Sequence, residues 1–141
     1  MYTVEKQVGR LIEARIASPL THSEMEQAMR QAQDLVFASP GTIVSCTDVT
    51  GLDIVPPTAV DLLIGLFTRD APKVERAALL VRRSSTVAIQ MEHTIRRAGI
   101  PNRKAFHDAA PLQRWLAGVL TPPEQVRLTQ FLRSVRAGVP G

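Results

Sequence analysis

The sequence predicts an α/β fold: a mixed, mainly parallel β-sheet of about five strands with helices packed on it, plus an extra C-terminal helix. Three observations lead there. The opening segment alternates with the two-residue period of a strand pair. Short apolar or β-branched runs then alternate with stretches of helical period. Those stretches carry recognisable start and stop signals. A chain of 141 residues, 45% hydrophobic and 21% charged, suits one globular unit with little room for a second independent core.

Residues 3–7 and 10–17 are separated by Val8-Gly9, and the second segment sets Leu11, Glu13 and Arg15 against Ile12, Ala14 and Ile16. This predicts a hairpin ended by Pro19. Thr21 and Glu24 have capping-box spacing, so a helix is expected from there, with Met25, Ala28, Ala32, Leu35 and Val36 on one face and Ser39-Pro40-Gly41 at its end. Residues 42–47 read as a buried strand leading into a loop, 48–53. Pro56 and Pro57 suit a first helical turn, where a missing amide hydrogen costs nothing, and Val60, Leu63, Ile64 and Phe67 follow on one face. Residues 76–81 read as a central strand. Ser84, Ser85 and Thr86 can cap a third helix that carries Val87, Ala88, Met91, Ile95 and Ala98 inward and closes at Gly99. Residues 103–107 suit a last short strand. Asp108 is expected to cap a helix burying Leu112, Trp115 and Leu116. Thr121 and Glu124 repeat the capping box ahead of Val126, Phe131, Leu132 and Val135. The expected division is a domain over 1–120, an amphipathic helix over 121–136 and a frayed tail over 137–141.

Composition narrows the functional classes. Aromatic residues are 4% of the chain, too few for a base-stacking platform or an aromatic cage, and no helix shows the basic, amide-rich face of a DNA reader. No nucleic-acid partner is expected. The one cysteine, Cys46, forms no internal disulfide and no thiolate metal site by itself, which suits a reducing compartment. Residues 1–6 show no signal pattern and no apolar run reaches membrane-spanning length, so the expectation is a cytoplasmic protein with no membrane span.

No catalytic motif is present. His22, His93 and His107 are far apart and have no metal-ligand spacing with each other or with Cys46, so no metal and no cofactor are expected. Asp48, Asp53 and Asp61 fall near one strand end, where open α/β sheets bind ligands, but such positions more often cap turns than transfer protons. Charge is uneven. Residues 1–75 carry six basic and ten acidic side chains, while residues 76–104 carry seven basic and one acidic. Within that basic stretch, Arg82, Arg83, Ser84, Ser85 and Thr86 combine two guanidiniums with helix N-terminal amides and form a candidate anion site. The alternative is a capped helix with both arginines in water.

Three strings, in order, resemble the STAS domain of bacterial anti-sigma-factor antagonists, in particular its SpoIIAA-like members, related to the CRAL-TRIO lipid-binding fold. They are Asp48-Val49-Thr50-Gly51-Leu52-Asp53, Val74-Glu75-Arg76-Ala77-Ala78-Leu79-Leu80-Val81, and Arg103-Lys104-Ala105-Phe106-His107-Asp108 followed by Leu112 and Trp115-Leu116. The resemblance covers roughly residues 2–120. It implies a non-enzymatic regulatory module that presents Thr50, Leu52, Asp53, Ile54, Val55 and Thr58 to a protein partner in signalling. Phosphorylated members read Asp-Ser-Ser-Gly in this loop; Asp53 matches the aspartate, but Val55 stands where the acceptor serine would be. Thr50 and Thr58 are the nearby hydroxyls. The lipid-binding relatives imply a second reading, a small amphipathic or anionic ligand held between sheet and helices in a cavity beside the Arg82 to Thr86 string. The C-terminal helix either lies on its own domain or covers a second copy as a homodimer contact.

Overall fold

Each inner strand places its alternate residues on two covered faces, and this sets the layer order. The computed structural model describes residues 1–138, with side chains as far as Ser134. The strands are β1 (Tyr2–Val8), β2 (Leu11–Ala17), β3 (Ile43–Gly51), β4 (Val74–Leu80) and β5 (Arg103–Phe106); the helices are α1 (His22–Ala38), α2 (Pro57–Asp70), α3 (Thr86–Ala98), α4 (Ala109–Ala117) and α5 (Pro122–Gly138). The sheet runs in chain order, β1-β2-β3-β4-β5, with β1 antiparallel to β2 and the other neighbours parallel. The expected α/β architecture is therefore present. Right-handed crossovers that advance one strand at a time put successive helices on the same face. Accordingly α1, α2 and α3 share one face of the sheet.

That face holds one large core of Met25, Val49, Leu63, Phe67, Leu79 and Met91 with their neighbours, and a smaller cluster around Ile12, Val36 and Ile43. Its opposite face buries Leu11, Val44, Cys46, Ala78 and Leu80 against Leu112 and Leu116 of α4 and Leu128, Phe131 and Leu132 of α5. Here the expectation for α5 is corrected at one residue: Val126 is 58% exposed, and Leu128 takes the inward position. Polar bonds hold α5 down as well. Glu124, buried, accepts from the amides of Arg10 (2.7 Å) and Thr121 (2.8 Å), and Arg127 grips buried Glu13 with two nitrogens. The Val135 side chain and residues 139–141 of the expected tail lie outside the described residues, and α5 itself runs to Gly138.

The local signals explain most helix ends. Both arms of the Thr21–Glu24 capping box form, and Gly99 closes α3 at φ +65°, a left-handed conformation that glycine adopts at no steric cost. Pro56 and Pro57 occupy the cap and first position of α2. Two expectations fail. Asp108 makes no capping hydrogen bond to α4 and instead meets Arg83 at 2.8 Å. The second long strand does not stop at residue 47, because β3 stays paired with β2 as far as Gly51.

Candidate partner-docking surface

The segment from β3 into α2 is braced by one internal contact and fastened to two neighbours, Ser18 and Gln90. Asp48, buried, accepts from the amide and hydroxyl of Thr50 (2.9 and 2.6 Å), where the pairing of β3 with β2 shifts register. The Asp53 amide donates to Ser18 Oγ at 3.0 Å. Gln90 of α3 clasps Val55: its Oε1 accepts from the Val55 amide (2.8 Å) and its Nε2 donates to the Val55 carbonyl (2.9 Å). Two strong backbone groups in a loop are thus satisfied by one side chain, so the loop has a defined shape.

This shape divides the six residues expected to face a partner. Leu52 and Val55 are 2% and 1% exposed and belong to the core under α2, so they are removed from the contact surface. Their side chains turn inward because the chain must bury apolar groups as it crosses from the strand onto the sheet face. Thr50 is half-buried with its hydroxyl given to Asp48. Asp53, Ile54 and Thr58 face outward, Ile54 at 51% exposure. Thr58 Oγ1 lies 3.2 Å from His22 Nδ1, whose Nε2 lies 2.8 Å from Glu26. The structure adds Ile89, 69% exposed on α3 next to Gln90. Neither Ile89 nor the clasp has a signal in the sequence, since a lone exposed isoleucine in a helical pattern and a glutamine have no periodic signature.

The Arg82 to Thr86 string behaves mainly as a helix start. Ser85 is the cap, accepting from the Ala88 amide at 3.0 Å and donating to the Arg82 carbonyl at 2.6 Å. Ser84 does not cap; it takes a left-handed φ of +57° in the preceding turn, and Thr86 is the first helical residue. Arg82, Arg83, Ser84 and Thr86 are exposed, and Arg83 already holds the Asp108 carboxylate. The basic stretch is also dispersed. Arg76 and Lys104 stack on the Trp115 ring at 5.2 and 5.1 Å, Arg97 lies 3.8 Å from Asp61, and Arg103 is buried over Phe67 at 3.8 Å and 3.2 Å from Asp70. Burial lowers the Arg103 pKa to about 10 against the attraction of Asp70, so it stays charged at neutral pH. Burial also raises Asp70, opposed by Arg103 and Arg69.

The groups weighed for chemistry stay separate. Asp48 is engaged with Thr50 and lies 3.4 Å from Arg15, Asp53 is at the surface, and Asp61 faces Arg97. Among the described residues no three His, Cys, Asp or Glu side chains come together in a way that could hold a metal ion. Burial, aided by the charges of Asp48 and Glu13, pushes the Cys46 thiol far up, leaving almost no thiolate. No described helix is long and apolar enough to cross a membrane.

No family model matches the sequence, and no curated protein matches it. Among solved structures, the chain is similar to the anti-sigma factor antagonist SpoIIAA in its unphosphorylated form, with a TM-score of 0.57 and 15% identity over 86% of this chain and all of that one. At that identity the likeness concerns the fold, and the fold is STAS-like, as the three strings imply.

Proposed function

We propose that this chain of SpoIIAA-like fold is a non-enzymatic regulatory or protein-interaction module that receives a protein partner on the outer side of the β3–α2 segment and the adjoining start of α3. One observation carries the reading: Ile54 and Ile89, each directly preceding one member of the Val55–Gln90 clasp, leave about half or more of their surface in water. Single exposed aliphatics are ordinary, whereas two held on a fixed scaffold at the carboxyl end of a sheet make a pre-shaped apolar contact, with exposed Asp53 and Thr58 on the same β3–α2 segment. The likeness to an anti-sigma factor antagonist supports a regulatory role. The test is capture from native lysate by wild type, Ile54→Asp and Ile89→Asp. Both substitutions are at surface positions and are expected to keep stability within about 0.5 kcal/mol. Each should weaken capture of the same partner tenfold or more, and undiminished capture by both would remove this surface from the account.

The hydroxyl that this reading leaves for modification is Thr58, not Thr50. It is exposed in the first turn of α2, where no acidic side chain opposes the positive end of the helix. A kinase would break the bond between the γ-phosphorus of a nucleoside triphosphate and its β–γ bridging oxygen, form the phosphorus–Oγ1 bond, and release the nucleoside diphosphate and the hydroxyl proton. Phosphopeptide mapping of the protein incubated with its native extract and ATP should find phosphate on the peptide containing Thr58; phosphate on Thr50 alone would contradict the assignment.

A further inference from the structure

We propose that the outer groove between α1 and α2 is a binding site for a small amphipathic monoanion, a short apolar body ending in a carboxylate. The inference is independent of the docking surface. The two helices pack side by side on the sheet, and the residues they turn toward the groove fall at helical spacing: Met29 and Gln33 on α1, Leu62, Leu66 and Arg69 on α2. The groove holds about 280 Å³. Drug-sized sites run from roughly 300 Å³ upward, so this one suits a smaller molecule. Its apolar lining is buried Leu66, half-buried Met29 and Leu62, which is 39% exposed.

The polar lining selects the charge. Arg30 and Arg69 border the groove, both exposed, and neither guanidinium makes an ion pair or hydrogen bond to another of the described residues. The charge of Arg69 acts on Asp70, but that carboxylate is buried and lies 3.2 Å from Arg103. The one carboxylate in the lining, Glu26, is already engaged, its Oε1 2.8 Å from His22 Nε2. Two cations against one anion leave one positive charge, which a monoanion balances. A planar carboxylate also matches the guanidinium fork, and the half-buried Gln33 amide offers a further donor. An ammonium ligand would meet two like charges, and a neutral alcohol would leave both unbalanced. The site differs from the Arg82 to Thr86 string, where Arg83 is taken by Asp108 and which borders neither this groove nor the interior cavity of about 90 Å³ between the sheet, α1 and α2.

The experiment is a titration of the full chain, carrying ¹³C-methyl methionine, with hexanoate, hexanol and hexylammonium at neutral pH. Hexanoate should move the Met29 methyl signal along a saturating curve. Met25 and Met91, which border the interior cavity and not the groove, should move less, and exposed Met1 should stay still. Hexanoate should bind at least about threefold more tightly than hexanol, within the range that exposed charge pairs give, and hexylammonium should not bind. Arg30→Gln and Arg69→Gln, both at exposed positions where substitution leaves the fold intact, should each weaken hexanoate about threefold and leave hexanol unchanged. Leu62→Gln should weaken both ligands by removing apolar contact. Equal or tighter binding of the alcohol, saturation by hexylammonium, larger shifts at Met25 or Met91 than at Met29, or unchanged hexanoate affinity in both arginine variants would each overturn the proposal.

Discussion

Arg127→Ala is expected to destabilise the protein by about 3 kcal/mol, a fall in the thermal midpoint of about 10 °C. Glu13 faces the α5 side of β2 and is 3% exposed; its two carboxylate oxygens are met by Arg127 Nε and Nη2, the second at 2.7 Å. Truncating the arginine leaves a carboxylate in a nearly dry position next to the Cys46 strand, with its desolvation uncompensated. The effect belongs to the orphaned charge and not to the pair as such. Glu13→Leu combined with Arg127→Met should therefore return the midpoint to within a few degrees of wild type, since an apolar pair of similar volume avoids the desolvation altogether. A double-mutant cycle by thermal unfolding checks both statements. If Arg127→Ala melted like wild type, α5 would not be held to the sheet in the way described.

The second large effect falls on the other fastening of α5. Glu124→Ala should cost about 2 kcal/mol, because the partly buried amides of Arg10 and Thr121 lose their shared acceptor together. Gly9→Ala should be comparably damaging. Its backbone has φ +56°, and an added β-carbon would come 2.3 Å from Glu124 Oε2. The same carboxylate gives a pH signature. Burial favours its neutral form, but the amide bonds from Thr121 and Arg10, with the Thr121 hydroxyl and the Arg10 charge, outweigh burial and hold its pKa below the ordinary 4.5. Its stabilisation is therefore complete above about pH 4.5 and is lost as pH falls through the lower folded-state value. Chemical denaturation of wild type and Glu124→Gln across that range should give curves that converge toward acid. A constant gap would show that the carboxylate's charge is not what the fastening uses.

These fastenings also mark where the sequence stops being legible. Capping boxes, Pro56-Pro57 and Gly99 act within a few residues, so α1, α2, α3 and α5 begin or end where local spacing puts them. The alternation of β2 was equally readable, but the meaning of its charged face was not. Glu13 and Arg15 on one side of a strand look like a solvated face until α5, more than a hundred residues later, covers it with Arg127, Ser134 and Phe131. Asp108 shows the same limit in reverse: a local capping signal gave way to a longer-range partner, Arg83. In the loop between β3 and α2 the orientation of the side chains was not legible, because a short irregular segment has no period to separate Leu52 and Val55 from Ile54. The Val55 backbone is held by Gln90, which lies on α3.

Hydrogen exchange measured by mass spectrometry, on the chain alone and on the complex recovered by the capture experiment, tests the proposed docking surface most directly. Slowed exchange should concentrate in peptides spanning residues 52–60 and 85–92, with α5 unchanged. Protection confined to α5, or spread evenly over the chain, would contradict it.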